Sequence, residues 1–193
     1  MKIDRDVFFD VLRSKWGRWR APRVTGLSAL LDMIETDASV RSRTVVAYML
    51  ATVKHECADT WEPITERGSR AYFDKYNAGT PIGDRLGNTQ LGDGYLFRGR
   101  GYVQITGRAN YIRLGTAIGV DLVGDPGLAL HRDIAYQIMS AGMRRGLFTG
   151  KRLSDYFGDG RHDYRGARRI INGLDRADLI ADYARDIEAA LAA

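Results

Sequence analysis

The chain has 193 residues, 45% hydrophobic and 27% charged, a balance that fits one buried core of enzyme size and excludes disordered, collagen-like and coiled-coil chains. Twenty-nine Lys and Arg against 24 Asp and Glu leave a net charge of +5, which favours a polyanionic partner: nucleic acid, anionic lipid or an acidic cell wall. The single cysteine, Cys57, excludes an intramolecular disulfide, and the longest apolar stretch, Val45 to Val53, falls far short of the roughly 18 residues of a membrane span.

In chain order, Asp4 is placed to cap a helix carrying Val7, Phe8, Val11 and Leu12 on one face. Thr25 or Ser28 is expected to open a second helix through Leu30, Leu31 and Ile34. A third, from about Ser42, carries Val45, Val46, Met49, Leu50 and Val53 and should end near Cys57 to Trp61, ahead of Pro63. It delivers His55 and Glu56 at its C-terminal end. From about Glu62 to Gly101 the helical period is lost, and ten residues are Gly or Pro. Loops with a short hairpin are expected there, and connections of that length usually carry function. Arg108 to Ile118 reads as helical, with Tyr111, Leu114 and Ile118 aligned. Asp125-Pro126 pairs an N-cap with a proline at the first helical position, opening a helix that uses Ile134, Ile138 and Met139. After the glycines around Gly158 to Gly166, Asp175 should cap a final helix with Leu179, Tyr183, Ile187 and Leu191 at four-residue spacing. The expectation is a mainly α single domain over residues 1–193, with the site in the Gly-rich segment.

Two carboxylates stand out. Glu56 ends an apolar helix and Glu66 follows ten residues later, beyond Pro63, so they cannot share a helical face but can face each other across a cleft. Inverting hydrolysis of a glycosidic bond needs one protonated carboxyl group to expel the leaving oxygen and one ionised group to activate water, about 6.5–9.5 Å away. Apolar neighbours point to Glu56 as the acid; Glu66, beside Arg67, is the base. The dense segment Phe97 to Tyr111 adds glycines for close backbone approach, with Gln104, Thr106 and Asn110 as neutral groups of the kind that bind sugar hydroxyls and amides. Gln104 and Thr106 would share one side if the segment were extended. Other chemistries fit less well. A zinc-protease helix needs a second histidine four residues after His55, where Asp59 stands, and neither a dinucleotide loop nor a phosphate loop is complete. Basic residues are scattered among acidic ones, which weighs against nucleic-acid binding.

Lys54-His55-Glu56, the run from Phe97 to Tyr111 and Arg168-Arg169-Ile170-Ile171-Asn172-Gly173 together resemble glycoside hydrolase family 19, which includes chitinases and related phage endolysins. The resemblance spans about Ser42 to Asp186. It implies a lysozyme-like, two-lobed helical fold whose Gly-rich loop or hairpin lines the cleft, and an inverting mechanism with two glutamates. By it, Glu56 matches the general acid, Glu66 the base as in the phage lysins, and Thr106 a residue that holds the attacking water. Gln104, Asn110, Tyr111, Asn172 and His55 match or adjoin substrate-binding positions, and Trp61 offers a ring for a sugar face or for the core. No metal or cofactor is implied. The chitinases usually follow their His-Glu with Thr and glycines, whereas Cys57, Ala58, Asp59, Thr60 and Trp61 follow here.

The expected function is an endolysin-type muramidase that cuts the β-1,4 bond of peptidoglycan and acts as a monomer on glycan strands, without membrane insertion. The N-terminus lacks the apolar run of a signal peptide, so the expectation is synthesis in the cytoplasm and access to the wall through a separate pore-forming protein. The alternatives are a chitinase and a non-catalytic wall-binding module.

Overall fold

Local signals set most helices of the computed structural model, which describes residues 1–193. In chain order they are α1 (Arg5–Trp16), α2 (Ala21–Thr36), α3 (Arg43–Glu56), β1 (Ile64–Thr65), α4 (Pro81–Arg85), α5 (Asp93–Leu96), β2 (Arg100–Gly101), α6 (Arg108–Ile118), α7 (Arg132–Arg145), β3 (Phe157–Gly158), β4 (Arg161–His162), α8 (Tyr164–Ala167) and α9 (Ala177–Ala192). Short 3-10 helices at Ala71–Tyr76, Pro126–Leu130, Leu153–Asp155 and Arg168–Ile170 complete a mainly helical chain. No helix is long and apolar enough to cross a membrane. The chain divides into two compact units, one of residues Met1–Glu62 and Met143–Ala193, the other of Pro63–Gly142.

The first unit is built around α3. Its residues from Val46 to Lys54 are all buried, so it is enclosed on every side rather than amphipathic. It packs along α9, which also meets α1 and α8. Its buried hydroxyls find partners: Thr52 Oγ1 donates to the Tyr48 carbonyl at 3.0 Å, and Tyr48 Oη to the Ala167 carbonyl at 2.7 Å. Burial is what pushes the Tyr48 phenol far above its ordinary pKa, so it remains a donor. Asp4 caps α1 through the Val7 amide, as its position predicts. Three expectations need correction. α2 starts at Ala21 with Pro22 in its first turn, upstream of Thr25 and Ser28, because a proline with fixed φ opens a helix without a capping hydroxyl. On α9 the buried face is Ala177, Ile180, Ala181, Ala184, Ile187 and Ala190, while Leu179 is exposed; small alanines allow closer packing than the leucines that mark the four-residue spacing. Asp175 does not cap α9, which starts at Ala177 behind Arg176 in a left-handed conformation and without a side-chain cap.

The second unit adds buried polar side chains to its apolar core. Between Glu62 and Gly101 the chain folds into the 3-10 helix Ala71–Tyr76 packed by α4 and α5, where loops were expected. Three buried residues satisfy the backbone there. Asn77 Oδ1 accepts from the amides of Gly92 and Gly94, both at 3.0 Å. Asn88 donates to the Tyr76 carbonyl at 2.6 Å and accepts from the Arg108 amide at 2.7 Å. Asp93 Oδ2 accepts from the amides of Thr89 and Gln90, and both carboxylate oxygens meet the Arg108 guanidinium at 2.8 and 2.6 Å. Burial alone would raise the Asp93 pKa; Arg108 and the two amides outweigh it and hold the carboxyl below its ordinary value. Gly94 is required by close approach, since a Cβ there would lie 2.1 Å from the Phe73 carbonyl oxygen. β1 pairs antiparallel with β2, Ile64 opposite Gly101 and Thr65 opposite Arg100, which closes the long segment between them rather than forming the short hairpin expected; the tight antiparallel turn is the one where Arg100 faces Ile105. Asp125 caps only the 3-10 helix Pro126–Leu130, and α7 begins separately at Arg132, so the single helix expected after Asp125 is two elements.

Candidate functional site

The residues singled out by sequence divide between the units. Glu56, His55, Trp61 and Asn172 belong to the first; Glu66, Gln104, Thr106, Asn110 and Tyr111 belong to the second.

In the first unit Glu56 is the last residue of α3. The fold returns Arg168, 112 residues later, so that its Nη1 donates to Glu56 Oε1 at 2.5 Å, while its Nε donates to the Asp175 carbonyl at 3.1 Å. The guanidinium is 3% exposed and the carboxylate 17%, a nearly desolvated ion pair. Apolar neighbours in the sequence pointed to a hydrophobic setting for Glu56. The structure corrects this, since its nearest partner is a buried cation. Arg168 lies inside the quoted Arg-Arg-Ile-Ile-Asn-Gly segment, but spacing carries no hint that it reaches Glu56. His55 is half-buried; burial holds its imidazole below the ordinary pKa despite neighbouring Glu56, so it is neutral at pH 7. Asn172 is exposed, and its Oδ1 accepts from the next amide, that of Gly173, at 2.9 Å.

Trp61 is fully buried, its ring stacked 5.9 Å from Trp19, so the structure gives it to the core rather than to a sugar face. Ala58, Asp59 and Trp61 all have positive φ in the turn that ends α3, unusual for residues with a Cβ. The turn is tied down by Asp59, which accepts from Lys54 Nζ at 2.7 Å and pairs with Arg23.

In the second unit Glu66 leaves β1 with both carboxylate oxygens held. Oε2 accepts the Gly99 amide at 3.1 Å and Oε1 the Tyr76 hydroxyl at 3.3 Å, while the Glu66 amide donates to the Gly99 carbonyl at 2.7 Å. Burial and the charge of Glu66 push the Tyr76 phenol well above its ordinary pKa, which keeps it a proton donor. Gly99 is closely approached by both side chains: a Cβ there would stand 3.0 Å from Gln104 Oε1 and 3.2 Å from Glu66 Oε2, so either would have to shift by a few tenths of an ångström. Glu66, Gly99 and Gln104 therefore form one cluster.

Gln104 sits at φ 53° in a tight turn closed by reciprocal hydrogen bonds between Arg100 and Ile105. That turn replaces the extended segment expected for Gln104 and Thr106, so the two do not share a strand face. Both Gln104 amide donations are internal, to the Ile64 and Gly101 carbonyls at 2.9 Å, leaving its Oε1 towards Gly99. Thr106 Oγ1 donates to the Gln104 carbonyl at 3.1 Å and can still accept. Asn110 donates to the Thr106 carbonyl at 2.7 Å, which leaves its Oδ1 to accept. Tyr111 is fully buried; its hydroxyl donates to the Arg98 carbonyl and accepts from Arg100 Nη1, both at 2.9 Å. It is a core residue here, which corrects its placement among substrate contacts. Neither Tyr76 nor the Gly99 amide carries a sequence signal as a partner of Glu66.

Comparisons with known proteins bear on this arrangement. The family profile of glycoside hydrolase family 19, described as chitinase class I, matches residues 28–139. Chitinase 8 of Oryza sativa subsp. japonica is 35% identical over a stretch that covers 34% of this chain and 30% of that protein, so the match spans under a third of the relative's length. Chitinase C from Streptomyces griseus HUT6037 superposes with a TM-score of 0.64 at 17% identity, covering 98% of this chain and 76% of that one. A mutant of chitinase C gives 0.59 at 18% identity, covering 98% and 92%. At such identities the likeness is one of fold, and it extends over nearly the whole chain.

Proposed function

The chain belongs to glycoside hydrolase family 19, the class I chitinases, and on that footing we propose that it is an inverting glycosidase cutting the β-1,4 bond of peptidoglycan between N-acetylmuramic acid and N-acetylglucosamine. Glu56 protonates the glycosidic oxygen, Glu66 takes a proton from water, and Thr106 accepts a hydrogen bond from that water. The observation that carries the reading is the setting of Glu66, whose carboxylate is fixed by a phenol and a backbone amide beside Gln104. A carboxylate held by neutral donors has its oxygens oriented while keeping lone pairs for water. The net charge of +5 supports an acidic polymer as substrate, an attraction that salt should weaken. In the endolysin form of this reading, the chain meets the wall as a monomer after a separate pore-forming protein admits it.

A second reading, chitin hydrolysis, is favoured by the names of the matched relatives. Incubation with purified sacculi and, separately, with chitin oligomers distinguishes the two by released reducing ends. Reducing N-acetylmuramic acid in the mass spectrum of digested peptidoglycan supports the muramidase. Reducing ends from chitin oligomers alone overturn it in favour of the chitinase. Binding to sacculi without any fragments would leave a wall-binding module, and retained anomeric configuration would remove the water mechanism.

A further inference from the structure

A cavity of about 470 Å³ lies wholly within the first unit, where the linker between α1 and α2 meets the turn that ends α3. Trp19 in that linker is held between Trp16, stacked at 5.9 Å, and Trp61, also stacked at 5.9 Å. Its chain neighbours Arg18 and Arg20 are exposed and line the cavity, the alternation expected of a non-helical segment whose middle residue points inward. The third arginine of the wall, Arg23, is fixed by Asp59. Asp59 is in turn matched by Lys54, whose Nζ lies 2.7 Å from its carboxylate and 4.3 Å from the centre of the Trp16 ring. The acidic side chain in the turn is thus already shared by two cations. Arg18 and Arg20 have no acidic partner of their own, and the other acidic residue of the wall is Glu62. Pro22 and Ala58 add apolar surface.

We propose that this arginine-lined cavity binds the carboxylates of an acidic peptide, and that in the intact substrate it receives the peptide stem of peptidoglycan. Two unpaired guanidinium groups beside an apolar patch suit a short peptide with free carboxylates; a neutral chitin chain offers them no carboxylate to pair with. The cavity opens two residues beyond Glu56 along the chain, at Ala58. A stem of four residues reaches about 14 Å when extended, so one substrate molecule has the length to place sugars and stem at separate points of the protein. The proposal rests on the peptidoglycan reading for its ligand, and it turns that reading into a specificity determinant.

The test titrates the full-length chain with a synthetic acidic stem tetrapeptide and with its carboxamide counterpart, following amide shifts by NMR. The acid form should bind about tenfold more tightly, the size two solvent-facing ion pairs can deliver, and the preference should shrink in high salt. The double variant Arg18→Gln/Arg20→Gln should lose the preference while keeping its melting temperature; Arg18→Lys/Arg20→Lys should keep most of it. Equal binding of the two peptides, or a preference that survives in the Gln variant, overturns the cavity as a peptide site even if sacculi are cut. A preference that vanishes in the Gln variant upholds the site even if sacculi yield no reducing ends, an outcome that would count against the muramidase alone.

Discussion

In the first unit Glu56 ends a 14-residue helix buried along most of its length, and one charged partner holds its carboxylate. In the second, Glu66 leaves a two-residue strand in a Gly-rich segment, and two neutral donors hold it. The first setting is made by apolar packing that brings a guanidinium from far along the chain. The second is made by hydrogen bonds from Tyr76 and the Gly99 backbone, in a unit whose own backbone is tied by Asn77, Asn88 and Asp93. The contrast teaches that one residue type can be oriented by two kinds of force, which fail differently. Disturbing the Glu56 setting should show first as lost stability, because a charge is stranded; disturbing the Glu66 setting should show first as lost rate, because geometry slips.

The largest effect on rate should come from Glu56→Gln, whose amide oxygen can still accept from Arg168, so that the chain folds with reduced stability while release of reducing ends falls by about 10⁴-fold through loss of the general acid. A folded variant cutting at the parent rate would remove Glu56 from the mechanism. Glu66→Gln should cost on the order of 10²-fold in kcat, and a smaller loss would mean another carboxylate serves as base. Arg168→Met strands the Glu56 carboxylate and should lower unfolding free energy by about 3–5 kcal/mol in denaturant titrations. In the Glu56→Gln background the same change should cost clearly less, and an equal cost would show that Arg168 acts through packing instead. Tyr76→Phe should change stability by only about 1 kcal/mol while lowering kcat about tenfold, the signature of a side chain that positions Glu66.

The smallest effect separates the units by pH. His55 has a folded pKa below its unfolded value of about 6.5, so the unfolded chain takes up the proton first and stability falls as pH drops through that region. Asp93 has a folded pKa below an unfolded value of about 3.9, so its contribution is present above that value and is lost as pH falls further. Denaturant midpoints should therefore decline in two steps on acidification. His55→Gln should flatten the upper step and Asp93→Asn the lower; a variant that flattens the other step would break the assignment.

Much of the helical frame was legible because its signals are local. Asp4 caps α1, α3 ends ahead of Pro63, and α6 runs from Arg108 to Ile118 as its spacing predicts. The Gly-rich segment was not legible as helices, because α4 and α5 are only five and four residues long and owe their form to buried amide and carboxylate side chains rather than to hydrophobic period. Tyr111 belongs to a helical stripe and an aromatic motif alike, and only its two hydroxyl partners assign it to the core.

By itself the sequence determined the helical class, the family and the two candidate carboxylates, since caps, periodicity and short motifs are written within a few neighbouring residues. The tertiary structure alone decided that Arg168 meets Glu56 across 112 residues, that Trp61 is enclosed by Trp19, and that Tyr76 and Gly99 hold Glu66. Those partners are chosen by packing and by the need to satisfy buried polar groups, demands that arise only once distant segments have left water together.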